Sequence, residues 1–420
     1  MQHFHSVSIL VSIAAFCAWC NHRFVKLPSA IGVMAVSLLL SIGSIVLERF
    51  GLIDTSKIAA FVSVFNFEDL VLHSMLGLLL FAGGMSVNLQ ELKEQKGVVM
   101  ALSSLGVIIG AAITGSLFWI GARLIGLELP FIFALLLGAI VSPTDAVAIL
   151  GIMRKVGVSR SLELKLVGES LFNDGIGVVV FLAVSSLAFG GSLGVGGVVT
   201  TLVVEVVGGV ALGALLGWIA YQVIKSVDQY VVEILVTLAL AMGGYSLAEV
   251  LHVSAPICVV VAGLIIGNQG RELAMSHHTR EHLDTFWELI DELLNVVLFV
   301  LVGLEVLILS LSGQQILAGL IAICAMLVSR FISVGSTITV MRRFRGFSPH
   351  VVKILTWGGL RGGISVALAL SLPDGEMRDL LVVCTYVAVL FSVLVQGVTL
   401  PGLLRRVSLI KPTQSPIEIP

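Results

Sequence analysis

The stretch GESLFNDGIG, residues 168–177, places Glu169, Ser170, Asn173 and Asp174 inside a run that is otherwise apolar. Carboxylates, hydroxyls and freed carbonyls are the oxygen ligands that hard cations prefer, and a carboxylate also takes up a proton. On a helix, Ser170 and Asp174 are four residues apart and share one face, while Glu169 and Asn173 share the neighbouring one, about 100° away. Two polar faces suit two different tasks. Interhelical hydrogen bonding is one account of Ser170 and Asn173, and a role in the site the other. Two carboxylates in one apolar run need more, because each charge in a hydrocarbon region costs at least a few kcal/mol.

Three further ionisable residues lie in apolar runs. VSPTDAVAIL, residues 141–150, carries Thr144 and Asp145 next to Pro143. The proline removes a backbone donor and disrupts the turn before it, and irregular backbone at membrane depth is tolerated only where protein or a cavity satisfies it. WGGLRGGISVAL, residues 357–368, surrounds Arg361 with four glycines. These read as a second interruption, with close helix packing as the alternative. Arg330 is the remaining cation. Asp145, Glu169 and Asp174 against Arg330 and Arg361 leave one negative charge without a fixed partner. Where broken helices cross, Asp145 offsets positive N-terminal ends and Arg361 negative C-terminal ends.

The elements that carry these residues follow from composition. Of 420 residues 57% are apolar and 12% charged, with a mean hydropathy of +1.09, far from the soluble norm. The chain reads as an all-α membrane protein. At about 20 residues per crossing, about 13 spans emerge: 6–21, 27–47, 68–88, 97–121, 130–152, 163–188, 198–223, 231–251, 253–268, 289–311, 315–341, 351–372 and 379–403. No room remains for a soluble domain. A net charge of −2 excludes a nucleic-acid binder. MQHFHS lacks the cationic start of a signal peptide, so the first span is expected to be retained.

Alternating the loops puts 18 of the 24 Lys and Arg on one side and only Arg49, Lys57, Arg123 and Arg378 on the other. By the positive-inside rule the N-terminus lies outside and the C-terminus in the cytoplasm. Spans 5 and 12, the two interrupted ones, are seven apart and cross in opposite directions. This is the layout of an inverted-topology repeat, spans 1–6 against 8–13 with span 7 as connector, and paired interrupted helices point to a transporter's midplane site.

SPTDAVA, GESLFNDG and GGLRGGI, in this order, resemble the sodium/proton exchanger branch of the monovalent cation/proton antiporters, including the prokaryotic NhaP-type proteins. NVVLFVLVGLEV at 295–306 and SRFISV at 329–334 extend the likeness over most of the chain. The resemblance implies a homodimer in the plasma (inner) membrane. It implies a scaffold of residues 1–96 (spans 1–3) and 230–313 (spans 8–10), and a core of 97–190 (spans 4–6) and 314–410 (spans 11–13). Residues 191–229 form the linking span 7, and 411–420 a short cytoplasmic tail. It makes Asp174 the ion- and proton-binding carboxylate, Thr144, Asp145 and Ser170 lining or ligating residues, and Asn173 their support. Glu169 then pairs with Arg330, although the spacing alone leaves Arg361 open as its partner, and Arg361 belongs to the unwound helix. Ala146 stands where many relatives have proline, and Ala82 where some carry an acid. The short tail points to a prokaryotic protein.

The implied activity is exchange of Na+ (or Li+) for H+ by alternating access, in the service of pH homeostasis, with no cofactor and no enzymatic step. A single exchanging carboxylate implies one proton per cation and electroneutrality. Potassium/proton exchange is the alternative, with a cation channel or a non-transporting ion sensor as readings of another class. Outside this set, Glu205 and Glu305 lie in spans, and Cys17 and Cys20 read as buried structural thiols. His277, His278 and His282 cluster in a loop, and Gly209, Gly213 and Gly217 suggest close helix contact.

Overall fold

The structure is a computed structural model that describes residues 2–52, 54, 67–145, 153, 156, 158, 160–190, 195–309, 312–343, 347 and 350–408. Among these residues every regular element is a helix. That is what hydrocarbon demands, since a helix satisfies its backbone within the segment. The second half of expected span 5, with Ala146, and the 411–420 tail lie outside the described residues.

The first elements are α1 (Gln2–Cys20), α2 (Ser29–Arg49), α3 (Leu76–Ser86), α4 (Leu89–Ser103), α5 (Leu105–Leu124) and α6 (Phe131–Ile140). Next come α7 (Arg160–Ala188), α8 (Val195–Lys225), α9 (Tyr230–Val250), α10 (Ala255–Ile265) and α11 (His277–Glu305). The chain continues through α12 (Gly313–Met341), α13 (Val351–Trp357), α14 (Gly363–Leu370), α15 (Glu376–Phe391) and α16 (Gly397–Ser408). Local sequence sets several starts. Pro28 and Pro130 precede α2 and α6; Ser276 caps α11, and Ser312 with Gln315 forms a capping box on α12.

Among the described residues nine helices are long and apolar enough to span a membrane. The four expected spans outside that set each have a physical reason. Span 5 has only the short α6 described, span 9 is the short run Ala255–Gly270, and span 12 is split between α13 and α14. Span 10 is the C-terminal part of α11, which carries Glu288, Asp291, Glu292 and Glu305.

Two packed groups frame the middle of the molecule. In one, α5 lies against α6 and α12, and α7 against α4 and α6. Glycines set this spacing: a Cβ at Gly138 would sit 2.1 Å from the Ala111 carbonyl oxygen, and one at Gly115 2.7 Å from Leu135 Cα. In the other, α10 packs on α3, α8 and α9, and α11 on α2. Here Gly213 and Gly209 of α8 meet α10 and the residue before it, since added Cβ atoms would lie 2.3 Å from Cys258 O and 2.6 Å from Ser254 O. Buried aliphatic side chains fill both groups. The ion-binding candidates lie where α7 faces the ends of α6 and α14.

Candidate functional site

Helix α6 stops at Ile140, and residues 142–145 run on without helical structure. Pro143 offers no N–H there, so the chain cannot close the next turn. A second gap, residues 358–362, separates α13 from α14. The two gaps meet. The Asp145 N–H donates to the Leu360 carbonyl at 2.7 Å, and Arg361 donates from Nη1 to the carbonyls of Ser142 and Pro143, the latter at 2.9 Å. The Arg361 N–H donates to Ser392 Oγ at 2.8 Å, so the strip is also tied to the end of α15. Thus a buried guanidinium, 5% exposed, serves carbonyls that the broken helix leaves unpaired.

The glycines around Arg361 are a matter of room. A Cβ at Gly359 would come 2.6 Å from Arg330 Nε, one at Gly362 2.6 Å from Asp145 Oδ2, and one at Gly363 2.4 Å from Leu298 Cδ1. Interruption and close packing therefore occur together. The approach at Gly362 also places the Asp145 carboxylate at the start of α14, where the helix end carries partial positive charge.

Helix α7 supplies the rest. Ser170 donates from Oγ to the Thr144 carbonyl. Asn173 clamps the same residue twice, accepting from the Thr144 N–H at 3.2 Å and donating to its Oγ1 at 2.6 Å. Glu169 points elsewhere: Arg330 of α12 donates to its Oε1, both side chains being almost fully buried, and Arg330 also reaches the Leu355 carbonyl at 3.3 Å. Asp174 is 8% exposed, and its Oδ1 has no hydrogen-bond partner. Among the described residues no ion pair reaches it.

Asp174, Ser170, Thr144 and Asp145 line one cavity of about 580 Å³. Asn173, Glu169, Arg330 and Arg361 do not line it; they brace the walls. Sequence reasoning did not single out the opposite wall. There α11 contributes Asp284, Glu288, Asp291 and Asn295, three and four residues apart on one face. Arg271 pairs with Asp284, and Asn295 donates to Asp291 Oδ1 at 3.2 Å. The signal was present as an acidic periodicity that begins in the polar stretch ahead of span 10, with Asp284 and Glu288, and continues into the span itself with Asp291 and Asn295. Ser365 of α14 and Ala82 of α3 also face the cavity.

The other candidates stand apart. Glu305 is buried outside the cavity, and Cys17 and Cys20 are free thiols. His278 and His282 lie with ring centres 4.4 Å apart beside Tyr230.

This set of oxygens, one unbonded carboxylate oxygen among hydroxyls and carbonyls, is suited to a small cation or a proton and lacks the nucleophile-and-base pairing of a hydrolytic site. The family model for "Sodium/hydrogen exchanger, transmembrane" matches residues 11–406. The chain belongs to the sodium/hydrogen exchanger family. It is 44% identical over 407 residues to the Na(+)/H(+) antiporter NhaP of Pseudomonas aeruginosa, covering 96% of each chain. It is 33% identical over 398 residues to the Na(+)/H(+) antiporter NhaH of Halobacillus aidingensis, with 92% of this chain and 94% of the relative covered. The fold is shared with the sodium proton antiporter MjNhaP1 from Methanocaldococcus jannaschii: TM-score 0.75 and 18% identity, covering 97% of this chain and 99% of that one. This exchanger-family chain is thus a multi-pass membrane transporter.

Proposed function

We propose that this chain exchanges Na+, and Li+ with it, for H+ across the inner membrane of a prokaryote, with Asp174 binding the two by turns. The observation that carries the reading is the isolation of Asp174. Its neighbour Glu169 is paired with Arg330, and Asp145 is set against the start of α14, while Asp174 keeps an unbonded oxygen beside the cavity. A carboxylate so placed has two ways to lose its charge, a proton or an alkali cation. A bare charge is too costly to carry past an apolar seal, so the core reorients only when Asp174 is neutralised, and exchange is obligatory. One carboxylate gives one proton per cation and electroneutral transport.

The relatives' printed activities and the oxygen donors that Asp174, Asp145, Ser170 and Thr144 bring to the cavity support sodium as the cation. The 13-span count and the positive-inside orientation put residues 268–288 in the cytoplasm. The cavity, which extends to Arg271 and Asp284, then faces inward. In this arrangement the crossed gaps at 142–145 and 358–362 belong to the two halves of an inverted repeat. Residues 97–190 and 314–410 form the moving core, and 1–96 with 230–313 the homodimer scaffold, joined by 191–229.

Purified protein in sealed liposomes with a trapped pH dye tests the activity. Outward Na+ and Li+ gradients are expected to drive proton uptake, and an equal K+ gradient to drive far less. Equal or greater flux with K+ overturns the choice of cation. Single-channel currents in planar bilayers overturn the carrier.

A further inference from the structure

We propose that the hydroxyl of Ser365 is an additional ligand of the transported cation, a role that rests on Asp174 being the exchanging carboxylate. Buried hydroxyls are hydrogen-bonded as a rule, and each exception asks what partner is missing. Ser365 is 1% exposed, and its Oγ has no hydrogen-bond partner. It lines the same cavity as Asp174 and Asp145. The other hydroxyls there are already partly engaged: Ser170 spends its proton on the Thr144 carbonyl, and Thr144 Oγ1 accepts from Asn173. Of these three hydroxyls, Ser365 is the one whose Oγ has no hydrogen-bond partner, either as donor or as acceptor.

Its position explains the direction it faces. Ser365 stands in the first turn of α14, three residues after Gly362, against which the Asp145 carboxylate rests. Helical side chains lean toward the N-terminus, so its hydroxyl leans toward the crossing of the two gaps. The positive end of a helix repels a cation, and a hydroxyl on the first turn offers an oxygen there, with Asp145 beside it offsetting that end. On another wall Ala82 presents only a methyl group to the cavity. A small alkali ion that sheds its water takes about six oxygens; one side-chain oxygen from each of Asp174, Asp145, Ser170 and Thr144 makes four, and Ser365 Oγ adds a fifth from the same cavity.

The test compares Ser365→Ala, Ser365→Thr and Ser365→Cys with the unaltered protein, using Na+ dependence of exchange in liposomes and Na+-induced thermal stabilisation of purified protein. S365A is expected to raise KM for Na+ about tenfold while kcat falls less than twofold, and to shift the stabilisation to about tenfold higher Na+. S365T, which keeps the oxygen, should recover most of both. S365C, which replaces a hard donor by a soft one, should weaken Na+ more than Tl+. Unaltered Na+ dependence of both readouts in S365A overturns the assignment. So does a fall in kcat with KM unmoved, or a Cys variant that treats Na+ and Tl+ alike. Failure of the underlying reading looks different: an Asp174→Asn protein that still exchanges, whatever Ser365 variants do.

Discussion

Arg361 spans the two interrupted segments, donating from Nη1 to the Pro143 carbonyl at 2.9 Å while its own backbone sits in the other segment. One side chain thus supplies protons to the carbonyls that Pro143 and the end of α6 leave open. The Asp145 N–H to Leu360 bond closes the crossing from the other direction. The oxygens proposed to bind the cation adjoin this brace, so changes to the brace and changes to the oxygens should have separable effects.

Removing the brace should cost stability first. Arg361→Ala leaves two buried carbonyls without their donor, each worth about 1.5–3 kcal/mol when the donor is charged. A lower melting temperature in detergent and loss of exchange are expected together, and Arg361→Lys should recover only part because an ammonium lacks the planar fork. An unchanged melting temperature in R361A would sink the bracing role.

Asp174→Asn keeps shape and removes the titrating group. Exchange should disappear while yield, elution profile and melting temperature stay near those of the unaltered protein. Wild-type rates would show that another group carries the proton.

Glu169→Ala should behave in the opposite way. It strands Arg330, 8% exposed, beside Gly359, and leaving one member of a buried pair costs about 3–5 kcal/mol. Yield should fall sharply, and the double change Glu169→Ala with Arg330→Leu should restore much of it. A single variant of normal stability would mean that the pair contributes nothing to the fold.

Competition for one carboxylate fixes the pH dependence. Below the range in which Asp174 loses its proton, Na+ must displace H+, so KM for Na+ should rise about tenfold for each unit the pH falls, with little change in maximal rate. Measuring KM at several pH values checks this, and a KM constant over two units rules out one shared site. With potential clamped by K+ and valinomycin, electroneutral exchange should keep the same rate at either polarity.

Gly138→Ala probes helix packing at a residue that does not line the cavity. Its Cβ would meet the Ala111 carbonyl oxygen at 2.1 Å, and backbone cannot yield as a side chain does. A loss of about 1–3 kcal/mol or more is expected, read as a fall in melting temperature with the Na+ KM unaltered in the folded fraction.

Much of this protein is legible in one dimension because a bilayer imposes one-dimensional rules. An apolar run reads as a helix, a charge in it asks for a purpose, and Pro143 and the glycines around Arg361 favour an interruption, with close packing the other meaning of the glycines. Those rules place Asp145, Glu169, Asp174, Arg330 and Arg361 among the buried residues and mark the two interruptions before any coordinates. They also make the family recognisable from SPTDAVA, GESLFNDG and GGLRGGI.

Only the tertiary structure decided who faces whom. Glu169 and Asp174 are five residues apart on one helix, yet one meets Arg330 and the other an open cavity, because the angle between the two faces is resolved only when α12 and α6 are docked. The acidic wall of α11 and the unpartnered hydroxyl of Ser365 could not be assigned to the cavity from the sequence for the same reason. A serine after a glycine run and acids at the start of an apolar span have ordinary surface or packing meanings, and are seen to line one cavity only when distant helices enclose it.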